Sequence, residues 1–102
     1  MGLRVALESE RGECIAEVLD PQNLLHRLLP SFDDLSFQWI RYIDWYENTV
    51  FNHLQIAPFL DEWRRLYQSA SSDDDHELLR RVEDLAVEVQ RSNHRYLKFY
   101  GD

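Results

Sequence analysis

The densest run of chemically capable side chains lies at positions 44–55, where Asp44, Trp45, Tyr46, Glu47, Asn48, Thr49, Asn52, His53 and Gln55 place carboxylates, a phenol, amides and an imidazole within twelve residues. Gathered around a cleft, such groups bind a small ligand. Asn52 and Gln55 would orient it, Trp45 and Tyr46 would stack on it, and His53 would supply an imidazole for proton transfer. The same residues also suit local backbone duties. Asn48 and Thr49 are turn and cap residues, Asn52 and Gln55 can bond nearby amides, and His53 can simply face solvent. Asp44 and Glu47, three positions apart, form a nominal acid–base pair, but that spacing is common on surfaces and carries little weight as an enzyme signal.

Other chemistries find less material. His26, His53, His76 and His94 are far apart in the chain and form none of the histidine groupings that bind zinc. Asp73, Asp74, Asp75 and His76 are consecutive, without the alternating ligands and glycine of a calcium loop, so no metal site is expected. With Gly2, Gly12 and Gly101 as its only glycines, the chain cannot build a phosphate-cradling loop, and no cofactor is expected. Cys14 is the single cysteine, which excludes an intramolecular disulfide and is read as a buried small hydrophobe.

Aromatic residues are concentrated just before and within the polar run. Phe32, Phe37, Trp39, Tyr42, Trp45, Tyr46 and Phe51 are seven of thirteen in the whole chain, and Arg41 is the only cation among them. Each buries roughly 150–250 Å² when enclosed, so a domain of 102 residues has difficulty hiding all seven. Trp39, Tyr42, Asp44, Trp45, Tyr46 and Glu47 are therefore the candidate partner-binding residues, with at least two of the four aromatics among them expected to be exposed.

Charge indicates which partner. Residues 1–62 hold 11 acids and 4 bases, and the remainder hold 8 and 7. An acidic surface attracts a basic protein and speeds its encounter; it also disfavours nucleic acid, whose affinity comes from neutralised phosphates. Self-association through the aromatic patch, giving a homo-oligomer, is the rival use of such a surface. No apolar run is long enough to span a bilayer, and the N-terminal residues lack the pattern of a signal peptide, so a cytoplasmic protein without a membrane role is expected. Ten of the eleven bases are arginine, the bias of GC-rich coding, which points to a bacterial source.

The elements that must position these residues follow from periodicity. Leu3, Val5 and Leu7 alternate with Arg4, Ala6 and Glu8, Gly12 permits a tight turn, and residues 14–19 return, which predicts an N-terminal hairpin. Asp20-Pro21 signals a helix carrying Leu24, Leu25, Leu28 and Leu29, stopped by Pro30. Residues 39–43 are aromatic and β-branched and read as a central strand; residues 49–51 read as a short return strand or an extended lead-in. Pro58 opens a helix with Phe59, Trp63, Leu66 and Tyr67 on one stripe; residues 69–75 read as a flexible polar connection whose aspartates precede the next helix, the cleanest amphipathic one, which carries Leu78, Leu79, Val82, Leu85, Ala86 and Val89 and runs to about 90–93. Residues 94–100 alternate, with Tyr96, Lys98 and Tyr100 opposite Leu97 and Phe99, and read as a C-terminal strand, the rival being a frayed continuation of the helix. The order predicts one α+β domain over residues 1–102, with a small antiparallel or mixed sheet (N-terminal hairpin, central strand, C-terminal strand) packed by about three helices on one face.

Two blocks carry a resemblance: Arg41-Tyr42-Ile43-Asp44 with Thr49-Val50-Phe51-Asn52 and Gln55, and the closing Tyr96-Leu97-Lys98-Phe99-Tyr100-Gly101-Asp102. They resemble a family of short bacterial proteins of uncharacterised function, which implies no activity and no catalytic residue. In size and acidity the chain is also similar to immunity proteins of bacterial competition systems, small acidic domains that cover a basic toxin. The leading expectation is a non-enzymatic interaction protein, of the immunity type, using the surface at 37–52. The alternative is a small enzyme or ligand-binding domain with Tyr46, Glu47, Asn52, His53 and Gln55 in a cleft.

Overall fold

Four strands in the order β2-β1-β4-β3 form an antiparallel sheet in the computed structural model, which describes residues 2–101. Met1 and Asp102, the last residue of the C-terminal block, lie outside the described residues. β1 (Arg4–Ser9) and β2 (Cys14–Leu19) make the expected hairpin, with Gly12 at φ 83° in its turn. That left-handed geometry is one glycine adopts without steric penalty. β4 (Arg95–Tyr100) pairs with β1 along its whole length and with β3 (Thr49–Phe51) on its other side. The C-terminal strand is thus a central strand, which explains why Leu97 and Phe99 are fully buried so near the chain end.

Alternation sorts the sheet into two faces. Val5, Leu7, Val18, Phe51, Leu97 and Phe99 join the core beneath the helices. Arg4, Glu8 and Tyr100 lie on the opposite face, where the Tyr100 hydroxyl donates to the Glu8 carboxylate and the Arg4 guanidinium sits 4.0 Å from the Tyr100 ring centre. β2 is an edge strand with only Val18 buried. Cys14 is accordingly exposed, against the expectation of a buried thiol: nothing packs outside an edge strand to cover it.

Helix α1 (Leu24–Leu28) is short and starts later than Asp20-Pro21 suggested. The buried Asp20 carboxylate nonetheless accepts from the N–H groups of Leu24 (2.8 Å) and Leu25 (2.9 Å), capping the helix from four residues upstream of its first residue. Helix α2 (Ile56–Ser69) begins ahead of Pro58, which sits in the first turn, where its missing N–H has no intrahelical partner to lose. Helix α3 (Asp73–Arg91) has the predicted amphipathic face, and the Ser72 hydroxyl accepts from the Asp75 N–H at its start. Asp75 is buried and takes a two-pronged contact from Arg27 at 2.8 and 3.0 Å, tying α1 to α3. That guanidinium holds the Asp75 carboxyl below the usual carboxylate range, burial opposing it.

Residues 39–43 are not a strand. Ile40–Tyr42 form one turn of 3-10 helix, with Ile40 and Ile43 buried and Tyr42 turned out. The cause is Glu62 on α2, whose buried carboxylate accepts from the backbone N–H groups of Gln38, Trp39 (2.9 Å) and Ile40 (3.0 Å). Amides taken by a carboxylate cannot join a ladder, and a three-residue turn places Ile40 and Ile43 on the same side, where both reach the core.

Candidate functional site

The segment at residues 30–48 contains no strand and no α-helix, so side chains hold it. Glu62 fixes its centre. Arg65 donates to the Ser36 carbonyl at 2.8 Å and lies 4.2 Å from the Phe37 ring centre. Asp34 accepts from the Ser36 hydroxyl (2.6 Å) and N–H, which pulls its carboxyl below the usual carboxylate range. Asp44 Oδ1 accepts from the N–H groups of Tyr46 (2.8 Å) and Glu47 (3.2 Å), while its own N–H donates to the Thr49 hydroxyl. Gly101 closes the far side, its N–H donating to the Glu47 carbonyl. A Cβ at Gly101 would stand 2.6 Å from backbone atoms of Glu47, so only glycine fits this approach. The two blocks of the sequence resemblance therefore touch, through β3 against β4.

This scaffold shapes a cleft of about 360 Å³ lined by Pro30, Phe32, Arg41, Tyr42, Ile43, Asp44, Trp45 and Tyr46. Tyr42 is 51% and Tyr46 79% exposed, matching the expectation that two of the four aromatics face solvent. Trp39 and Trp45 are half-buried against the core, with Trp45 meeting the His26 ring edge-on at 5.1 Å. Of the six candidate partner-binding residues, Tyr42, Asp44, Trp45 and Tyr46 line the cleft, whereas Trp39 and Glu47 do not. Phe32, which is 59% exposed, and Arg41 belong to the cleft without having been singled out. Arg41 being the only cation among seven aromatics was the available signal for it.

The residues of the alternative site are separated. Tyr46 lines the first cleft; Asn52 and His53 line another of about 450 Å³ with Leu54, Asn93, His94, Arg95 and Tyr96. Asn52 and Gln55 are engaged with the local backbone: Asn52 Oδ1 accepts from the N–H groups of Leu54 and Gln55, and Gln55 Oε1 accepts from the Asn52 N–H. His53 Nδ1 lies 3.3 Å from the Val89 carbonyl. No cluster of three or more metal-ligating side chains occurs among the described residues, and no helix among them is long and apolar enough to cross a membrane. Comparison of the chain with family models, with curated proteins and with solved structures finds no match.

Proposed function

We propose that this protein is a non-enzymatic interaction domain, of the immunity type, that binds a basic protein partner through the aromatic and acidic surface at residues 37–52. The observation that carries the proposal is the pairing of exposed Tyr42 and Tyr46 with a backbone pinned from below by Glu62. Exposed aromatics on a rigid frame lose little conformational freedom on binding and supply the buried anchors of an interface. Asp44 and Glu47, both exposed, would steer a basic partner and form the rim. A ligand-binding cleft spanning Tyr46 to Gln55 has less support, since its amides already serve the backbone.

The test begins with capture from the native host and mass spectrometry to identify the partner, followed by stopped-flow association across a salt series. Asp44→Asn with Glu47→Gln should slow association and flatten its salt dependence, with dissociation changed less. An on-rate that ignores both salt and these substitutions would count against steering. Sedimentation across a concentration series separates a foreign partner from self-association through the same surface.

A further inference from the structure

Arg41 Nε is the sole buried side-chain nitrogen or oxygen without a hydrogen-bond partner among the described residues. A buried donor left unpaired is costly enough to ask what fills it. The rest of the guanidinium is held firmly. Nη1 donates to the Phe32 carbonyl at 2.6 Å, Nη2 donates to the Tyr42 hydroxyl at 2.7 Å, and the Phe32 and Tyr42 ring centres lie 5.0 and 4.4 Å from its carbon. No ion pair with Arg41 forms among the described residues, although Asp44 lines the same cleft. Asp34 and Asp44 are instead turned to Ser36 and to the backbone of Tyr46 and Glu47.

Nε and Nη2 form the edge of the guanidinium that two carboxylate oxygens fit with parallel hydrogen bonds. Here that edge is half filled, by one phenol oxygen. We propose that the cleft beside Arg41 binds a carboxylate, which displaces the Tyr42 hydroxyl and takes both donors while its apolar neighbour rests on Trp45 and Tyr46. Tyr42, already half exposed, is the gate. The acids of this surface set the second condition by charge complementarity: the carboxylate comes from a protein segment in which basic residues flank it, meeting Asp44 and Glu47 while Arg41 takes the single negative charge. This rests on the interaction surface proposed above for the source of the ligand, and on Arg41 alone for its chemistry.

The experiment titrates N-acetyl-L-phenylalanine and, separately, its uncharged amide into the full chain, following the Arg41 Nε–H and Trp45 indole N–H signals by NMR. The acid is expected to bind with a dissociation constant on the order of 1 mM, usual for a fragment of this size, and the amide roughly tenfold or more weaker, as a lost charge-assisted pair requires. Arg41→Lys, which keeps the charge but lacks the planar edge, should remove the difference between the two probes. Tyr42→Phe should tighten the acid a few-fold, because no phenol bond then has to break. Amide signals of Leu97 and Phe99 report whether each variant is folded. Equal binding of acid and amide, binding of neither, or an acid response that survives Arg41→Lys overturns the proposal. Each of these results leaves the interaction surface itself standing, because its test reads the salt dependence of protein association through Asp44 and Glu47.

Discussion

Two sets of aromatic residues in this molecule are held in opposite ways. Phe51, Phe59, Trp63 and Phe99 form one connected cluster, with ring centres 4.8–6.1 Å apart, between α2 and the sheet. All four are buried, and the Trp63 indole N–H donates to the Leu79 carbonyl at 2.8 Å. Phe32, Tyr42 and Tyr46 instead stand on an irregular segment fixed by a few directional bonds from Glu62, Arg41 and Asp44. Burial of area stabilises through many small contacts and resists loss of any one. Anchoring by polar side chains concentrates rigidity in single groups, so one substitution can loosen the surface and leave the core packed.

The largest effect expected from this contrast is in the core. Phe99→Ala should cost on the order of 3–5 kcal/mol, a large part of the ~5–15 kcal/mol typical of such a domain. Truncation after Asn93, which removes the central strand β4, should give an unfolded or aggregating chain. Denaturant melts check both, and a truncated chain that melts cooperatively near the full-length midpoint would reduce β4 to a tail. Glu62→Ala comes next. Three amides lose their acceptor, and a loss of about 3 kcal/mol is expected, together with faster hydrogen exchange at Gln38, Trp39 and Ile40. If exchange there is unchanged, another group anchors the segment.

Acid should act on the contact between α1 and α3. Because the folded Asp75 carboxyl lies below its unfolded value, its contribution is present above that value and fades as pH falls through the folded one. The melting temperature should therefore not vary with pH through Asp75 near neutrality and should decline below pH ~4. Asp75→Asn should be less stable near neutrality and show a shallower acid decline. An identical acid limb in wild type and variant would assign the decline to other carboxylates. Gly101→Ala is expected to cost on the order of 1–3 kcal/mol, as overpacking against backbone does. Its Cβ must displace the backbone of Tyr46 and Glu47, so NMR shifts should gather at those residues. Shifts confined to residues 100–101 would show that the C-terminus yields instead of the segment at residues 30–48.

The hairpin, α3 and β4 were legible because their apolar residues repeat at strand or helix period, with Gly12 marking the turn of the hairpin, whereas the start of α3 was not, because Asp73–Asp75 read as connection and the Ser72 cap shows only once the chain is folded. Residues 39–43 were misread because aromatic and β-branched content favours a strand only when the amides are free to pair, and Glu62, some 22 residues away, claims them. Among the candidate site residues, Tyr42, Asp44, Trp45 and Tyr46, which line the cleft, were singled out by composition alone. Glu62 and Arg41 were not, because a lone carboxylate on a helix and a lone arginine in a loop look like ordinary surface residues until their partners are placed.

Pattern and composition by themselves determined that this chain takes an α+β fold with an acidic N-terminal half and a concentration of aromatic side chains of which several stay exposed. Those properties depend on periodicity and on the ratio of apolar surface to volume, both countable along the chain. Which aromatics turn outward, that β4 lies at the sheet's centre, and that Arg41 lines a cleft while its Nε stays buried and unpaired were decided by the tertiary structure. Each depends on contacts between residues distant in sequence, and the buried carboxylate of Glu62 overrides the local strand propensity of residues 39–43 because leaving it unpartnered inside the protein costs more than that preference gains.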